Sequence, residues 1–178
     1  MTNLINLPPF TEDGDVYVVV ETPRGSRAKF DYDPELKSFT LSKSLLTGLT
    51  YPHDWGFVPS TKADDGDPID IMVVHDAATF PGIVLTCRVI GILQIEQKSK
   101  GKTERNDRLF AVPRDSHSEH ALKDVSDLSK PVRQELEKFF KATDELEDKN
   151  LDIIGWKGPK AAMQAIKDAS KKFKKNGK

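Results

Sequence analysis

The sequence predicts an α+β fold of mainly β structure, with a closed β-barrel and two α-helices packed on its outside. Two observations support this class: short apolar or alternating segments fill the first 112 residues, and two segments with helical spacing follow them. The 178 residues suffice for one domain with a sizeable core, and no internal repeat or long linker divides them. We therefore expect a single domain over residues 1–178.

The predicted strands come first in the chain. Val16–Thr22 is rich in β-branched residues and stops before a proline. Residues 28–32 alternate, so Lys29 and Asp31 share one face of a half-buried strand, where we expect them to form an ion pair. A rigid loop with a short strand is predicted at 51–59, and apolar strands are predicted at 69–74, at 83–95 with a bend near Gly91, and at 109–112.

Two helices are predicted to close the chain. Apolar residues recur at helical spacing over 132–146, and Ser129 and Pro131 before them are typical start signals. A second apolar stripe covers 162–173. The polar segment 96–108, which lies between the last two predicted strands, carries many charges, and we expect a mobile loop or a hairpin tip there.

Composition argues against several classes of protein. The net charge of −1 argues against a general nucleic-acid binder, although barrels of this type support that role elsewhere. No apolar run approaches the length of a membrane span, and residues 1–10 lack the pattern of a secretory signal. Cys87 is the only cysteine, which excludes an internal disulfide and fits a reducing compartment. We therefore expect a cytoplasmic protein without a nucleic-acid or membrane partner.

The most informative segment is an acidic turn directly before the predicted strand at 69–74. Asp65, Asp67 and Asp70 lie within six residues, with Gly66 and Pro68 as turn formers. Crowded carboxylates repel one another, which favours a bound cation, and Mg²⁺ prefers oxygen ligands. The alternative is a solvated acidic turn. An EF-hand calcium loop fits less well, because the glycine and the glutamate of that motif are not in place.

Residues 65–70, Asp-Gly-Asp-Pro-Ile-Asp, resemble the signature of the soluble family I inorganic pyrophosphatases. The resemblance extends over nearly the full chain, through segments at 19–23, 29–31, 51–57, 87–91 and 154–156. It implies a five-stranded barrel of the OB type with flanking α-helices. It also implies hydrolysis of pyrophosphate to two phosphates with Mg²⁺ as cofactor, Mn²⁺ and Zn²⁺ being alternatives, in a cytoplasmic homo-oligomer that is a hexamer.

The same resemblance implies roles for individual charged residues. Asp67 resembles the general base that takes a proton from the attacking water. Metal ligands are implied at Asp65, Asp70, Glu21 and Asp31. Phosphate-binding cations are implied at Lys29, Lys43 and Arg108, with Trp55 as a further phosphate contact where the family has tyrosine.

Besides Trp55, four positions depart from the family pattern inside the expected site. Two metal-binding aspartates of the family fall on Gln97 and Asn106, and a phosphate-binding Tyr-Lys pair falls on Thr143 and Asp144. The adjacent Glu96 and Asp107 are candidate replacement ligands, although a neighbour in a regular strand faces the opposite side. These exchanges predict weakened metal binding. They leave two alternatives open: a hydrolase of another phosphoanhydride or phosphoester, and a non-catalytic descendant that binds phosphate-bearing ligands.

Overall fold

The structure, a computed structural model, describes residues 3–176; the outermost residues of the predicted domain, Met1, Thr2, Gly177 and Lys178, lie outside the described part. The described residues form nine strands and two α-helices. In chain order these are β1 (Val16–Thr22), β2 (Ala28–Asp33), β3 (Ser38–Ser44), β4 (Asp54–Val58), β5 (Ile69–Val73), β6 (Val84–Ser99), β7 (Lys102–Arg105), β8 (Arg108–Pro113), α1 (Lys130–Glu145), β9 (Asn150–Lys157) and α2 (Pro159–Asn176).

Five strands close into a ring, which confirms the predicted fold class. β1 pairs with β4, β4 with β5, β8 with β6 and β6 with β1, all antiparallel, whereas β5 and β8 run parallel. β6 is long enough to continue beyond the ring, where it pairs with β7 and β9. The bend predicted near Gly91 corresponds to a register shift between Val89 and Gly91 in the β6–β8 pairing.

The two helices cover the ring and complete its core. α1 begins at the predicted cap Ser129 and packs Phe140 against Trp55, with ring centroids 5.7 Å apart. α2 packs along β6 and contributes the buried Ile166 to the same apolar cluster as Ile71. Because α1 lies over β4 and β8, its carboxyl end forms a wall beside the polar residues of β8. Among residues 3–176, no helix is both long and apolar enough to cross a membrane.

In three segments the structure adds to the prediction from sequence. The segment 96–108 contains the end of β6, all of β7 and the start of β8, and so forms the hairpin that was one of the two predicted alternatives. β3 and β9 have no counterpart among the predicted strands. Their side chains are largely half-buried or exposed, and the strands form by pairing with β2 and β6, so their sequences carry no continuous apolar signal.

Candidate active site

Charged side chains from several elements meet in one cavity of about 150 Å³. The turn before β5 supplies carboxylates, β2 and β3 supply paired lysines, β8 supplies an arginine, and α1 with the turn after it supplies another wall. Most of the residues predicted for the site line this cavity, namely Asp65, Asp67, Asp70, Lys29, Lys43, Arg108 and Trp55. The fold therefore assembles acids and cations from distant parts of the chain.

The backbone of the acidic turn presents its carboxylates to the cavity. Gly66 has a φ of +96°, which favours glycine, and Ala63 N donates to the carbonyl oxygen of Asp67 at 2.7 Å. Within the turn, Asp65 Oδ1 accepts a hydrogen bond from Asp67 N at 3.1 Å. Burial, followed by the charge of Asp65, raises the pKa of Asp67. A raised pKa makes Asp67 a stronger base than an ordinary aspartate.

Glu21 and Asp31 line a neighbouring cavity, which shares Lys29, Asp67 and Asp70 with the first. Lys29 Nζ lies 2.8 Å from Asp31 Oδ1, which confirms the predicted ion pair on this face of β2. Burial, and to a smaller extent the charges of Asp31 and Asp70, raise the pKa of Glu21 to about 8, although a hydrogen bond from a backbone N–H of β2 opposes this rise. Glu21 is therefore mainly protonated at neutral pH in this arrangement.

The donor chemistry of the site fits a hard divalent cation, but protein cations keep the carboxylates apart. The acidic turn offers only oxygen donors, which suit Mg²⁺. Within residues 3–176, no three Asp, Glu, His or Cys side chains converge closely enough to hold a metal ion. Two predicted ligands are paired instead, Asp70 with Arg108 and Asp31 with Lys29. Each pair engages one carboxylate oxygen, Oδ2 of Asp70 and Oδ1 of Asp31, so the protein cations compete with a metal for these ligands and leave the second oxygen of each available.

Arg108 lies at the centre of the site. Its Nη1 donates to Asp70 Oδ2 and to Asn106 Oδ1, and its Cζ lies 5.4 Å from the centroid of the Trp55 ring. The Nε of Arg108 and the Nε1 of Trp55 are buried and have no hydrogen-bond partner among the described residues. The predicted phosphate-binding cation therefore serves as the counter-ion of Asp70 and stacks on an indole, a geometry that a lysine could not reproduce.

Three of the positions that depart from the family pattern, Gln97, Asn106 and Asp144, join in one chain of hydrogen bonds. Beyond the bond from Arg108 to Asn106, Nδ2 of Asn106 donates to Oε1 of Gln97 at 2.9 Å. Nε2 of Gln97 in turn donates to Oδ2 of Asp144 at 2.6 Å. Burial raises the pKa of Asp144, and the charge of Arg108 and the bond from Gln97 oppose this rise. Two neutral amides thus connect a buried cation to a buried anion.

The adjacent carboxylates Glu96 and Asp107 do not line the cavity. β6 stays paired at Glu96, with Arg105 of β7 on one side and β9 on the other, so the side chain lies on the face opposite to Gln97. Asp107 accepts hydrogen bonds from Ile95 N at 2.9 Å and from Arg105 Nε at 2.5 Å, and it lines a different cavity. Glu96 therefore points away from Gln97, whereas Asp107 shares its cavity with Asp70 and Asn106.

Two residues of the cavity, Glu147 and Lys149, were not predicted from sequence. They follow α1, where Asp148 adopts a φ of +54°. Glu147 Oε1 lies 2.5 Å from Lys43 Nζ, and Glu147 Oε2 lies 2.6 Å from Lys149 Nζ. A lysine five residues after Asp144 is ordinary in so charged a segment, so the sequence offered no signal that it contributes to the site.

The chain resembles known proteins along nearly all of its length. Residues 18–174 match a family model described as inorganic pyrophosphatase. Proteins named inorganic pyrophosphatase from Synechocystis sp. and Thermus thermophilus are 34% and 35% identical to it, over 97% and 98% of this chain and 99% of each relative.

Solved structures agree with the sequence relatives. The crystal structure of inorganic pyrophosphatase from Thermus thermophilus matches with a TM-score of 0.88 and 32% identity, over 97% of this chain and 99% of that one. A structure of the enzyme from Helicobacter pylori matches with a TM-score of 0.86 and 29% identity, over 94% of this chain and 98% of that one. The chain therefore belongs to the inorganic pyrophosphatase family.

Proposed function

We propose that this protein hydrolyses inorganic pyrophosphate to two phosphates, with Mg²⁺ as its cofactor. The observation that carries this proposal is the shared cavity, in which the acidic turn of Asp65, Asp67 and Asp70 faces Lys29 and the other cations. A polyanionic substrate needs cations around its phosphates, and phosphoryl transfer is catalysed mainly by positioning and by charge stabilisation. Membership of the inorganic pyrophosphatase family supports the same reaction.

In this mechanism Asp67 accepts a proton from the attacking water. The water oxygen bonds to one phosphorus, the bridging P–O bond breaks, and two phosphates leave. Asp67 suits the role because burial and the charge of Asp65 raise its pKa, and a base works best when its pKa approaches the working pH. Asp67 lines the cavity and keeps contact with solvent, so the burial that raises its pKa is partial.

The residues that would hold the metal are Asp65 and Asp70, with Glu21 and Asp31 as further carboxylates on the neighbouring cavity. A bound divalent cation supplies Lewis-acid charge that stabilises phosphoryl oxygens. We propose Mg²⁺ ahead of Mn²⁺ or Zn²⁺, because the acidic turn offers only oxygen donors. Glu21 would bind only after losing the proton that burial favours.

The substrate-binding cations are proposed to be Lys29 and Lys43, which are register partners on β2 and β3 and project into one cavity. Arg108 stabilises the substrate less directly, because Asp70 and Asn106 already occupy its Nη1. Trp55 lies against the guanidinium of Arg108, and its buried Nε1 has no hydrogen-bond partner among the described residues, so Trp55 is proposed as a further phosphate contact.

A phosphate-release assay tests the reaction. We expect the protein to release phosphate from pyrophosphate at millimolar Mg²⁺, and Asp67→Asn to lower kcat by about a hundredfold or more, since an amide accepts no proton. Asp64→Asn is the matched control, because Asp64 lies in the same turn but pairs with Lys172 outside this cavity. Absence of phosphate release from the unaltered protein under Mg²⁺, Mn²⁺ and Zn²⁺ would contradict the proposal.

A second candidate is hydrolysis of another phosphoanhydride or phosphoester. The observation that favours it is Asp144, an anion where the family pattern has a phosphate-binding lysine, next to the aromatic walls of Phe139, Phe140 and Trp55. A panel of nucleotides and sugar phosphates tests it: faster cleavage of an organic phosphate than of pyrophosphate supports this candidate. Binding of phosphate compounds without turnover under any metal would instead identify a non-catalytic descendant.

The remaining parts of the proposal concern the whole protein. We propose that residues 1–178 act as one domain in the cytoplasm, without a nucleic-acid or membrane partner. The net charge of −1 and the single cysteine, which fits a reducing compartment, support this. Fractionation of cells that express the tagged chain would test the location.

A further inference from the structure

Glu147 occupies a position between two lysines of the proposed active site. Its Oε1 lies 2.5 Å from Lys43 Nζ and its Oε2 lies 2.6 Å from Lys149 Nζ. Lys43 also donates to the carbonyl oxygen of Thr143 at 3.0 Å, at the end of α1. All three charged side chains line the same cavity as Asp65, Asp67 and Asp70. A single carboxylate therefore bridges two ammonium groups at the place where a phosphate would meet them.

The two lysines that Glu147 bridges have the chemistry of an anion-binding site. Two lysines act as point charges that suit a phosphate, and a carboxylate presents two oxygens in the same way as one edge of a phosphate. The side chain of Lys43 is 18% exposed, whereas those of Glu147 and Lys149 are 31% and 35% exposed. The two outer groups can therefore move towards solvent, while Lys43 is held by the strand and by Thr143.

The turn after α1 explains how Lys149 reaches the site. Asp148 adopts a left-handed conformation, and the backbone N–H of Lys149 donates to the carbonyl oxygen of Asp144 at 3.2 Å. The chain thereby returns to the position at which the family pattern places a lysine and this protein has Asp144. Lys149 thus brings a cation back to the wall that lost one.

We propose that Lys43 and Lys149 form a phosphate subsite of this protein, and that Glu147 occupies this subsite as an internal anion until a substrate phosphate displaces it. The proposal rests on the proposed function for the identity of the substrate. It assigns Lys149 as a substrate-binding residue and Glu147 as a competitor of the substrate for the same two cations.

The proposal predicts changes of opposite sign for two substitutions. Binding of methylenediphosphonate, a pyrophosphate mimic that is not hydrolysed, is measured by calorimetry on the full chain at fixed Mg²⁺. We expect Lys149→Gln to weaken this binding by about tenfold, because it removes a charge-assisted hydrogen bond. We expect Glu147→Gln to tighten it several-fold, because the competing anion is gone.

The controls separate binding from folding. Lys138→Gln removes an exposed lysine of α1 outside the cavity and should leave the affinity unchanged, whereas Lys149→Arg should restore it. Unfolding midpoints of all variants exclude a general loss of structure. In kinetics, Lys149→Gln should raise KM for pyrophosphate more than it lowers kcat.

Two outcomes would overturn the subsite. If Glu147→Gln weakens diphosphonate binding as Lys149→Gln does, the contacts of Glu147 with Lys43 and Lys149 only support the fold. If Lys149→Gln has no effect on binding, Lys149 does not contact the ligand. The proposed hydrolysis fails separately. If Lys149→Gln weakens diphosphonate binding but the unaltered protein releases no phosphate, the subsite is supported and the proposed hydrolysis is wrong. If the protein releases phosphate but Lys149→Gln does not change diphosphonate binding, the hydrolysis is supported and the subsite is wrong.

Discussion

Gln97, Asn106 and Asp144 differ from the family pattern as a group rather than one by one. Two carboxylates are exchanged for amides and one lysine for an aspartate, so the formal charge of the site is unchanged. The amides link Asp144 to Arg108 through successive hydrogen bonds. Because each residue satisfies the next, single reversions to the family pattern leave a partner unsatisfied.

Gln97→Glu is the substitution that tests this coupling. Nε2 of Gln97 donates to Asp144 at 2.6 Å, so a glutamate would place two carboxylates against each other. We expect the free energy of unfolding at neutral pH to fall by about 1–3 kcal/mol, measured by urea denaturation. Gln94→Glu, the same exchange at a half-buried position of β6, serves as the control. Adding Asp144→Lys to Gln97→Glu should restore stability; failure to restore it would contradict the coupling.

Arg108→Lys tests whether Arg108 restricts the use of Asp70 as a metal ligand. A lysine keeps the charge but has no planar guanidinium to lie over Trp55 while Nη1 donates to both Asp70 and Asn106. We expect tighter binding of Mn²⁺, by severalfold, because a shorter, flexible lysine pairs less firmly with Asp70 and competes less with the metal. Electron paramagnetic resonance measures this binding without any turnover. Arg105→Lys alters a pair outside the cavity and should change nothing. Equal or weaker Mn²⁺ binding in Arg108→Lys would refute this interpretation.

At the scale of elements, the position of β4 depends on a buried carboxylate at its first residue. Asp54 is fully buried; its Oδ1 accepts from Arg24 N at 2.7 Å, and its Oδ2 lies 2.9 Å from His75 Nε2 and 2.7 Å from Thr79 Oγ1. These contacts connect β4 to the end of β5 and to the loops before β2 and β6. They therefore fix the register of the neighbouring Trp55, which backs Arg108.

Asp54→Asn should destabilise the fold. Removing the charge of a buried carboxylate that is fully hydrogen-bonded lowers the free energy of unfolding by about 3 kcal/mol. Urea denaturation would show this loss as a lower midpoint. Asp76→Asn is the matched control, since Asp76 lies in the same region with its side chain 78% exposed and only a distant contact to Arg24. A midpoint for Asp54→Asn that equals the control would show that the network does not stabilise β4.

The same residue predicts a pH dependence with a definite sign. Burial raises the pKa of Asp54, but hydrogen bonds from His75, Arg24 and Thr79 outweigh it and leave the pKa below its usual value. A depressed folded-state pKa stabilises the protein above the unfolded-state pKa of about 3.9, and this stabilisation is lost as the pH falls through the folded-state value. Stability should therefore fall more steeply below pH 4 in the unaltered protein than in Asp54→Asn.

At the scale of the whole molecule, one side of the barrel exposes large apolar side chains. Phe80 is 73% exposed, Leu41 of β3 is 63% exposed and Leu36 before β3 is 67% exposed. The loop that carries Phe80 lies against the hairpin of β2 and β3. A Cβ added to Gly82 in this loop would lie 3.2 Å from the ring of Phe39 in β3. Exposed apolar groups gathered on one side are typical of a protein–protein interface.

The hexamer implied by family resemblance stays a prediction that this surface makes testable. We expect light scattering to give six times the mass of one chain, and Phe80→Glu to shift it towards smaller species. Ile154→Glu, which alters an exposed apolar residue of β9, is the comparison. A monomeric mass for the unaltered protein would contradict the oligomer, and an unchanged mass for Phe80→Glu would exclude this surface from the interface.

Local periodicity and turn chemistry were enough to predict much of the architecture. The alternation at 28–32, the apolar runs at 69–74 and 83–95, and the cap at Ser129 each depend on neighbours within a few residues, and all of them correspond to observed elements. The acidic turn at 65–70 is recognisable for the same reason, because its three carboxylates and its glycine lie within six consecutive residues.

Only the tertiary structure decided how the polar residues of the site pair. Gln97 and Asp144 are 47 residues apart and meet because α1 packs across the ring, while Asn106 reaches Gln97 through the β6–β7 hairpin. Glu96 and Gln97 look equivalent in sequence, yet the pleat of β6 sends them to opposite faces. Such contacts depend on strand register and on helix packing, which no local sequence pattern records. The sequence therefore determined which charged residues are present, and the tertiary structure determined which of them form ion pairs or hydrogen bonds with one another.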